Sequence, residues 1–375
     1  MKNFGFGCMR LPMIGDEVDH PQVCRMVDRF MEEGFTYFDT AHGYIGGKSE
    51  IAVRECLAKR YPRESYILTN KLTHPYFKTA EDIRPFFESQ LEACGVEYFD
   101  YYLIHAVSKE NYDKYHNCRA FEIAKELKDE GKVKHVGMSF HDTPEFLEKV
   151  LQAHPEVEVV QIQFNYVDYD DPKVESWGCY QVCEKYNKPA IIMEPVKGGL
   201  LINLPDEGKA VLDELKGGSY ASYAIRYAAS FPQVFMVLSG MSNTEQMEDN
   251  ISYMKEFVPF NEAEFAAVEK VRDILKSQES IPCTACCYCV EGCPKQIPIP
   301  ELFACYNTQK RYQDWDGSKR YQARTKDLGK ASDCIACGKC EKVCPQHLPI
   351  REHLKELAKM PSPAPPAPRT PWPGL

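Results

Sequence analysis

The chain has 375 residues, 44% hydrophobic and 27% charged, which suffices for one large domain and a small one. Its formal net charge of −10 argues against nucleic acid as a partner, because phosphate contact needs a basic face. The N-terminus, MKNFGFGCMRLPM, has no apolar core of signal-peptide length, and no run approaches a membrane span. A cytoplasmic protein without a membrane partner is therefore expected.

Short apolar runs alternate with helical patterns over the first 240 residues or so. The runs are Phe4–Cys8, Phe35–Ala41, Tyr66–Leu72, Phe99–His105, Val133–Phe140, Val159–Asn165, Ala190–Glu194 and Val234–Gly240. Between the first two, Val23, Met26, Val27, Phe30 and Met31 fall on one helical face that ends at Gly34. A later helix opens with Thr79-Ala-Glu-Asp82, a relative of the capping box. Eight strands alternating with amphipathic helices predict an α/β fold, a (β/α)8 TIM barrel. A doubly wound sheet is the alternative, but it calls for a Gly-rich turn after the first strand. One more helix, about Glu262–Ser277, closes this region.

Reactive residues of such a barrel sit at the C-terminal ends of its strands. Those ends supply Asp39, Lys71 and His105 from three successive strands, with Tyr44 in the loop after the second. Each has an ordinary reading alone: a helix cap, a surface lysine, a packed histidine, a packed tyrosine. Together, the segments FDTAHGY (38–44, followed by Ser49-Glu50), TNK (69–71) and DYYLIH (100–105) make residues 3 to about 278 resemble the aldo-keto reductases. The resemblance implies carbonyl reduction or alcohol oxidation with NADP or NAD. Tyr44 is then the proton donor, and Lys71 is expected to lower its pKa. Asp39 holds Lys71, and His105 orients the substrate oxygen.

The implied nucleotide contacts are less regular. Ser139 and Gln161 match the family's nicotinamide-amide positions, but Phe140 stands where the family has Asn. Met193 stands where it has a stacking aromatic ring. The phosphate loop reads SGMSNTEQMEDN (239–250), with Gly240 and Gln246 where many relatives carry Lys and Arg. Other relatives, including potassium-channel β subunits, carry a similar Gly-x-Ser-x3-Gln loop. Backbone N–H groups of Ser239, Gly240 and Ser242 are expected at the pyrophosphate, with Gln246 and Asn250 toward adenine. Most relatives begin with a β-hairpin that plugs the barrel floor, whereas here the first barrel strand opens the sequence.

The C-terminal part carries Cys283-x2-Cys286-x2-Cys289-x3-Cys293-Pro and then Cys334-x2-Cys337-x2-Cys340-x3-Cys344-Pro. In this pattern three close cysteines wrap one [4Fe–4S] cluster and the fourth, before proline, reaches the neighbouring cluster. Two clusters with crossed ligation are expected: Cys283, Cys286, Cys289 and Cys344 on one, Cys334, Cys337, Cys340 and Cys293 on the other. Zinc sites and a disulfide framework are the alternatives, and the repeated Cys-Pro disfavours both. Cys287 and Cys305 are expected not to be ligands. The nine cysteines outside the motifs, these two included, are scattered, as befits reduced thiols.

Three regions follow: a barrel over 1–280, a small, mainly α-helical dicluster ferredoxin-like domain over 281–358, and a Pro-rich tail over 359–375. The tail has too much proline to fold. Lys310, Arg311, Lys319, Arg320, Arg324 and Lys326 form a basic stretch between the motifs, a solvated face or a docking patch. Expected partners are a small carbonyl or alcohol and a one-electron carrier such as ferredoxin or flavodoxin. Two alternatives stay open at this point. Electrons could arrive through the clusters, with the barrel managing only protons. The chain could also be a non-catalytic, redox-sensing nucleotide-binding module.

Overall fold

All eight apolar runs form strands of one parallel sheet. They are β1 (Phe4–Gly7), β2 (Tyr37–Asp39), β3 (Ile67–Leu72), β4 (Phe99–Val107), β5 (Val133–Phe140), β6 (Val159–Gln163), β7 (Ala190–Met193) and β8 (Val234–Ser239). Neighbours in sequence are neighbours in space, and the ring closes where β1 pairs with both β8 and β2. A computed structural model describes residues 2–171, 174–277, 281–312 and 316–359, with backbone alone at 277 and over 308–319. The expected Pro-rich tail, Lys359 apart, lies outside the described residues, as do the side chains of Lys310, Arg311 and Lys319.

The period of two along each strand divides the core. Tyr37, Tyr101, Leu103, Val159, Ile191, Met236 and Leu238 fill the inside of the barrel. The alternate residues meet the surrounding helices. Phe30 and Phe35 stack with centroids 5.0 Å apart, and Phe4, Phe6 and Phe38 close around them. Burying each such ring is worth about 1.5–3 kcal/mol. The first helix, His20–Glu32, starts on Asp19, whose carboxylate accepts from Gln22 N at 3.0 Å. Thr79 and Asp82 form the reciprocal capping box that their spacing predicts. A small hairpin, Met13–Ile14 with Glu17–Val18, follows β1.

The chain divides into two compact units between Leu275 and Lys276. The second is helical: Tyr288–Glu291, Ile299–Tyr312, Asp316–Arg324, Lys339–Lys342 and Ile350–Leu357. Its core is built from Ile297, Ile299, Leu302, Phe303, Leu348, Ile350 and Leu354. The two cysteine motifs share one backbone. Ala285, Cys287 and Gln296 have φ of +54°, +67° and +50°, and their counterparts Ala336, Gly338 and His347 have +54°, +74° and +48°. Cys287 thus occupies the turn position that the second repeat gives to glycine. No helix among the described residues is long and apolar enough to cross a membrane.

Candidate functional site

The ends of β2, β3 and β4 bring together the four residues singled out from the sequence. Lys71, wholly buried, places Nζ 2.6 Å from Asp39 Oδ1 and donates to the Thr40 carbonyl at 2.9 Å. The same ammonium lies 4.9 Å from the centroid of the Tyr44 ring. The rings of Tyr44 and His105 meet edge to face at 6.1 Å. His105 shares a 2.7 Å hydrogen bond between Nδ1 and Thr73 Oγ1, which leaves Nε2 without a partner among the described residues.

Local structure explains why the surrounding motif residues are needed. Tyr44 opens a tight turn in which Ile45, Gly46 and Gly47 all have positive φ. Ser49 anchors that turn, donating to the Cys8 carbonyl at 2.8 Å and bonding Thr40 Oγ1 at 2.7 Å. Glu50 is buried and accepts from Asn70 Nδ2 at 2.8 Å and Gln90 Nε2 at 3.3 Å. Asn70 Oδ1 in turn receives the Lys71 N–H at 2.8 Å. Ser49, Glu50 and Asn70 are therefore scaffold for the four.

Electrostatics correct one expectation. Desolvation pushes the Tyr44 phenol well above the ordinary tyrosine range, and the negative fields of Asp39, Cys8 and Glu194 push it further. Lys71 faces the ring and is itself drawn below the usual lysine range by burial, against the pull of Asp39. The expected lowering of the Tyr44 pKa is thus overturned, because burial outweighs the cation and keeps the phenol protonated. Burial, then Lys71, His141 and His74, hold His105 well below its usual range, so its imidazole is neutral.

The nucleotide positions are arranged as follows. Gln161 donates to the second Asp39 oxygen at 3.3 Å, and Ser139 Oγ accepts the Ala106 N–H at 2.6 Å. Phe140 is buried against Phe146, with centroids 6.1 Å apart. In the loop after β8, Gln246 accepts from Ser242 N at 2.7 Å, and Ser242 donates to the Arg10 carbonyl at 2.9 Å. Asn250 is turned inward, donating to Ser239 Oγ at 3.1 Å and accepting from Tyr253. At Gly240, a Cβ would sit 3.3 Å from the Arg10 side chain, which packs over the glycine.

Two features escaped the sequence. Gln163, two residues beyond Gln161, has a buried Nε2 with no hydrogen-bond partner among the described residues, while its Oε1 meets His141 Nδ1 at 3.1 Å. The repeat Gln-x-Gln along β6 was the available signal. After β7, the buried ion pair of Lys197 with Asp168 is braced by Asn165, which donates to Asp168 at 2.7 Å and to the Glu194 carbonyl at 3.0 Å. Glu194 and Lys197 both take positive φ, and burial raises the Glu194 carboxyl above its usual range. Only the Glu-Pro-Val-Lys-Gly-Gly string hinted at this.

In the second unit the cysteines line two cavities in the crossed sets. Cys283, Cys286, Cys289 and Cys344 border one. Cys293, Cys334, Cys337 and Cys340 border the other. No disulfide joins any two cysteines among the described residues. Four thiols around each cavity are the donor set that a cubane cluster requires. Gly329 fixes the loop carrying Cys293: its N–H reaches the Gln296 carbonyl at 3.2 Å, and a Cβ there would lie 2.1 Å from the Lys295 carbonyl oxygen. Cys287 is exposed and Cys305 is buried, and neither borders either of these two cavities.

The family model described as the aldo/keto reductase family matches residues 3–273, and that described as the 4Fe-4S dicluster domain matches 282–348. The oxidoreductase YqkF of Bacillus subtilis is 25% identical over 281 residues, covering 66% of this chain and 85% of its own. L-Galactose dehydrogenase of Arabidopsis thaliana is 24% identical over 270 residues, covering 67% of this chain and 84% of its own. Among solved structures, an aldo-keto reductase from Klebsiella pneumoniae in complex with NADPH has a TM-score of 0.59 at 16% identity. That match covers 72% of this chain and 90% of the other, and it shows the fold. With its closed parallel barrel and this match, the chain belongs to the aldo/keto reductase family of oxidoreductases and carries a 4Fe-4S dicluster domain after the barrel.

Proposed function

We propose that the barrel interconverts a small carbonyl compound and its alcohol with NADP or NAD, and that two [4Fe–4S] clusters give it one-electron exchange. The observation that carries the first half is the meeting of Asp39, Tyr44, Lys71 and His105 at three adjacent strand ends. A nicotinamide bound at Ser139 and Gln161 would supply the hydride for the carbonyl carbon. Tyr44, protonated across neutral pH, gives its proton to the carbonyl oxygen. Lys71 then stabilises the phenolate left behind, and Asp39 at 2.6 Å keeps Lys71 cationic. Neutral His105 offers its free Nε2 to the same oxygen and fixes its direction.

For the nucleotide, Ser139 and Gln161 are assigned to the nicotinamide end, with the unpartnered Gln163 amide beside them. The loop Ser239, Gly240, Ser242 and Gln246 is assigned to the phosphates, with Arg10 as the adjacent cation. Asn250 shapes that loop from beneath through Ser239. The Klebsiella relative bound to NADPH supports a nucleotide in this fold. The clusters are assigned to the crossed sets, Cys283, Cys286, Cys289 and Cys344 against Cys293, Cys334, Cys337 and Cys340. On this reading the functional regions are 1–280, 281–358 and 359–375.

A second reading is favoured by Phe140, whose buried ring cannot hold a nicotinamide amide. In it, electrons enter through the clusters, and Tyr44 and Lys71 manage only protons. Anaerobic titration of the purified protein with NADH, NADPH and dithionite separates the two. The first reading expects saturable nucleotide binding and carbonyl reduction that stops in Tyr44→Phe. Carbonyl reduction by dithionite-reduced protein, without nucleotide binding, would establish the second.

A further inference from the structure

The two cysteine sets, alike in backbone, differ in their surroundings. The cavity of Cys283, Cys286, Cys289 and Cys344 is lined otherwise by Thr284, Ile299, Pro300, Phe303, Gln346, Leu348 and Ile350, with no charge among them. The cavity of Cys293, Cys334, Cys337 and Cys340 is lined by Lys295, Lys339 and Arg351, with no carboxylate. Its cysteine loop is also the more open. Cys337 is exposed, as are Ser332, Asp333, Ala336 and Lys339, and Ile335 is 58% accessible.

The charges do not cancel. Glu341 is engaged by Arg351 at 2.8 Å, and Asp333 caps the Lys330 N–H at 2.8 Å. Glu352 and Lys355 both line the groove that runs past Cys334. Lys295, Lys339 and Lys342 remain exposed and make no ion pair among the described residues. An exposed apolar centre at Ile335 thus sits beside Lys295, Lys339 and Arg351 in a chain whose net charge is −10. Apolar centres with charged rims are typical of small, transient interfaces, where charge complementarity governs the rate of encounter.

We propose that electrons enter or leave this protein at the Cys293, Cys334, Cys337 and Cys340 set, and that an acidic one-electron carrier protein docks on the Ile335, Lys339 and Lys342 surface beside it. The proposal rests on the two-cluster reading, which iron and sulfide analysis tests beforehand and independently. The proposed patch uses none of the residues of the basic stretch between the motifs. It places the exchange point at the more exposed of the two sets, where a carrier approaches most closely.

The test uses the anaerobic full-length protein and follows cluster bleaching in a stopped-flow instrument with two reductants. One is fully reduced flavodoxin, an acidic protein; the other is the methyl viologen radical, a small cation. In wild type, the flavodoxin rate falls as salt is raised. Lys339→Glu with Lys342→Glu slows flavodoxin at least tenfold, within the range of electrostatic steering, and does not slow viologen. Lys339→Gln with Lys342→Gln gives a smaller loss in the same direction. Equal slowing with both reductants assigns the effect to the clusters themselves and overturns the proposal. An unchanged flavodoxin rate in a variant with full iron content overturns it as well. A wild-type dimer that the charge reversal dissociates would give the face to a second copy instead.

Discussion

Replacing Lys71 by methionine separates its structural from its chemical role. The ammonium is wholly buried and Asp39 is 3% accessible, so removing the cation strands a carboxylate with only Gln161, at 3.3 Å, to meet it. Breaking one side of a buried ion pair costs about 3–5 kcal/mol, and the Thr40 carbonyl loses its 2.9 Å donor as well. Part of the loss is recovered by protonating Asp39, whose carboxyl burial already raises. In the variant the folded state then holds a proton that the unfolded chain releases, so stability falls as pH rises from the ordinary carboxylate range toward the raised folded value. Asp39→Asn combined with Lys71→Met removes the stranded charge and restores most of the stability. Activity is not restored, because the phenolate of Tyr44 still lacks its cation, and turnover stays about 10²–10⁴-fold down. Urea unfolding at two pH values, beside turnover of a carbonyl that the wild type reduces, measures both. The reasoning fails if Lys71→Met lies within about 1 kcal/mol of wild type, or if the double variant is no more stable than the single.

Tyr44→Phe should lower turnover about 10²–10⁴-fold with the nucleotide dissociation constant unchanged; equal turnover would end its role as the acid. His105 is held neutral by burial, so the unfolded chain takes up a proton that the folded one resists, and stability is lost as pH falls through about 6.5. His105→Gln should flatten that loss by up to about 1.4 kcal/mol per pH unit, read from unfolding at stepped pH. Anaerobic protein should contain about eight iron and eight sulfide per chain, and about four iron or stoichiometric zinc would reject two clusters. Cys287→Gly should keep that content and unfold at a higher denaturant concentration, since its φ of +67° suits glycine; loss of iron would make Cys287 a ligand after all.

Legibility followed chemistry that is local in sequence. All eight strands could be read because parallel barrel strands are buried on both faces and appear as apolar runs. Asp39, Lys71 and His105 were readable because each ends such a run, and the cysteines because their spacing is their chemistry. What stayed hidden depends on partners distant in sequence. Arg10 reaches Gly240 only when β1 and β8 lie side by side. The Asp168–Lys197 pair joins the ends of two different strands. The direction of the Tyr44 shift was misjudged because the sequence names the cation and says nothing about how deeply the phenol is packed.

The two halves of this chain impose different demands on electron count. Carbonyl reduction consumes two electrons and two protons, delivered as a hydride and a proton, whereas an iron–sulfur cluster carries one electron at a time. A single cluster coupled to such a reaction would leave it half complete, while a pair holds the equivalent of one hydride. The repeated backbone, left-handed at the same three places in each motif, shows how the second site is obtained: one loop design is used twice, and the prolyl cysteine of each copy completes the other. Because each cavity borrows its fourth thiol from the opposite motif, neither site can be assembled without both. On the proposed ligation, loss of Cys344 would remove a ligand from the first motif's cavity, and loss of Cys293 one from the second's. Crossed ligation of that kind would make the pair, and with it the two-electron capacity, a single structural unit.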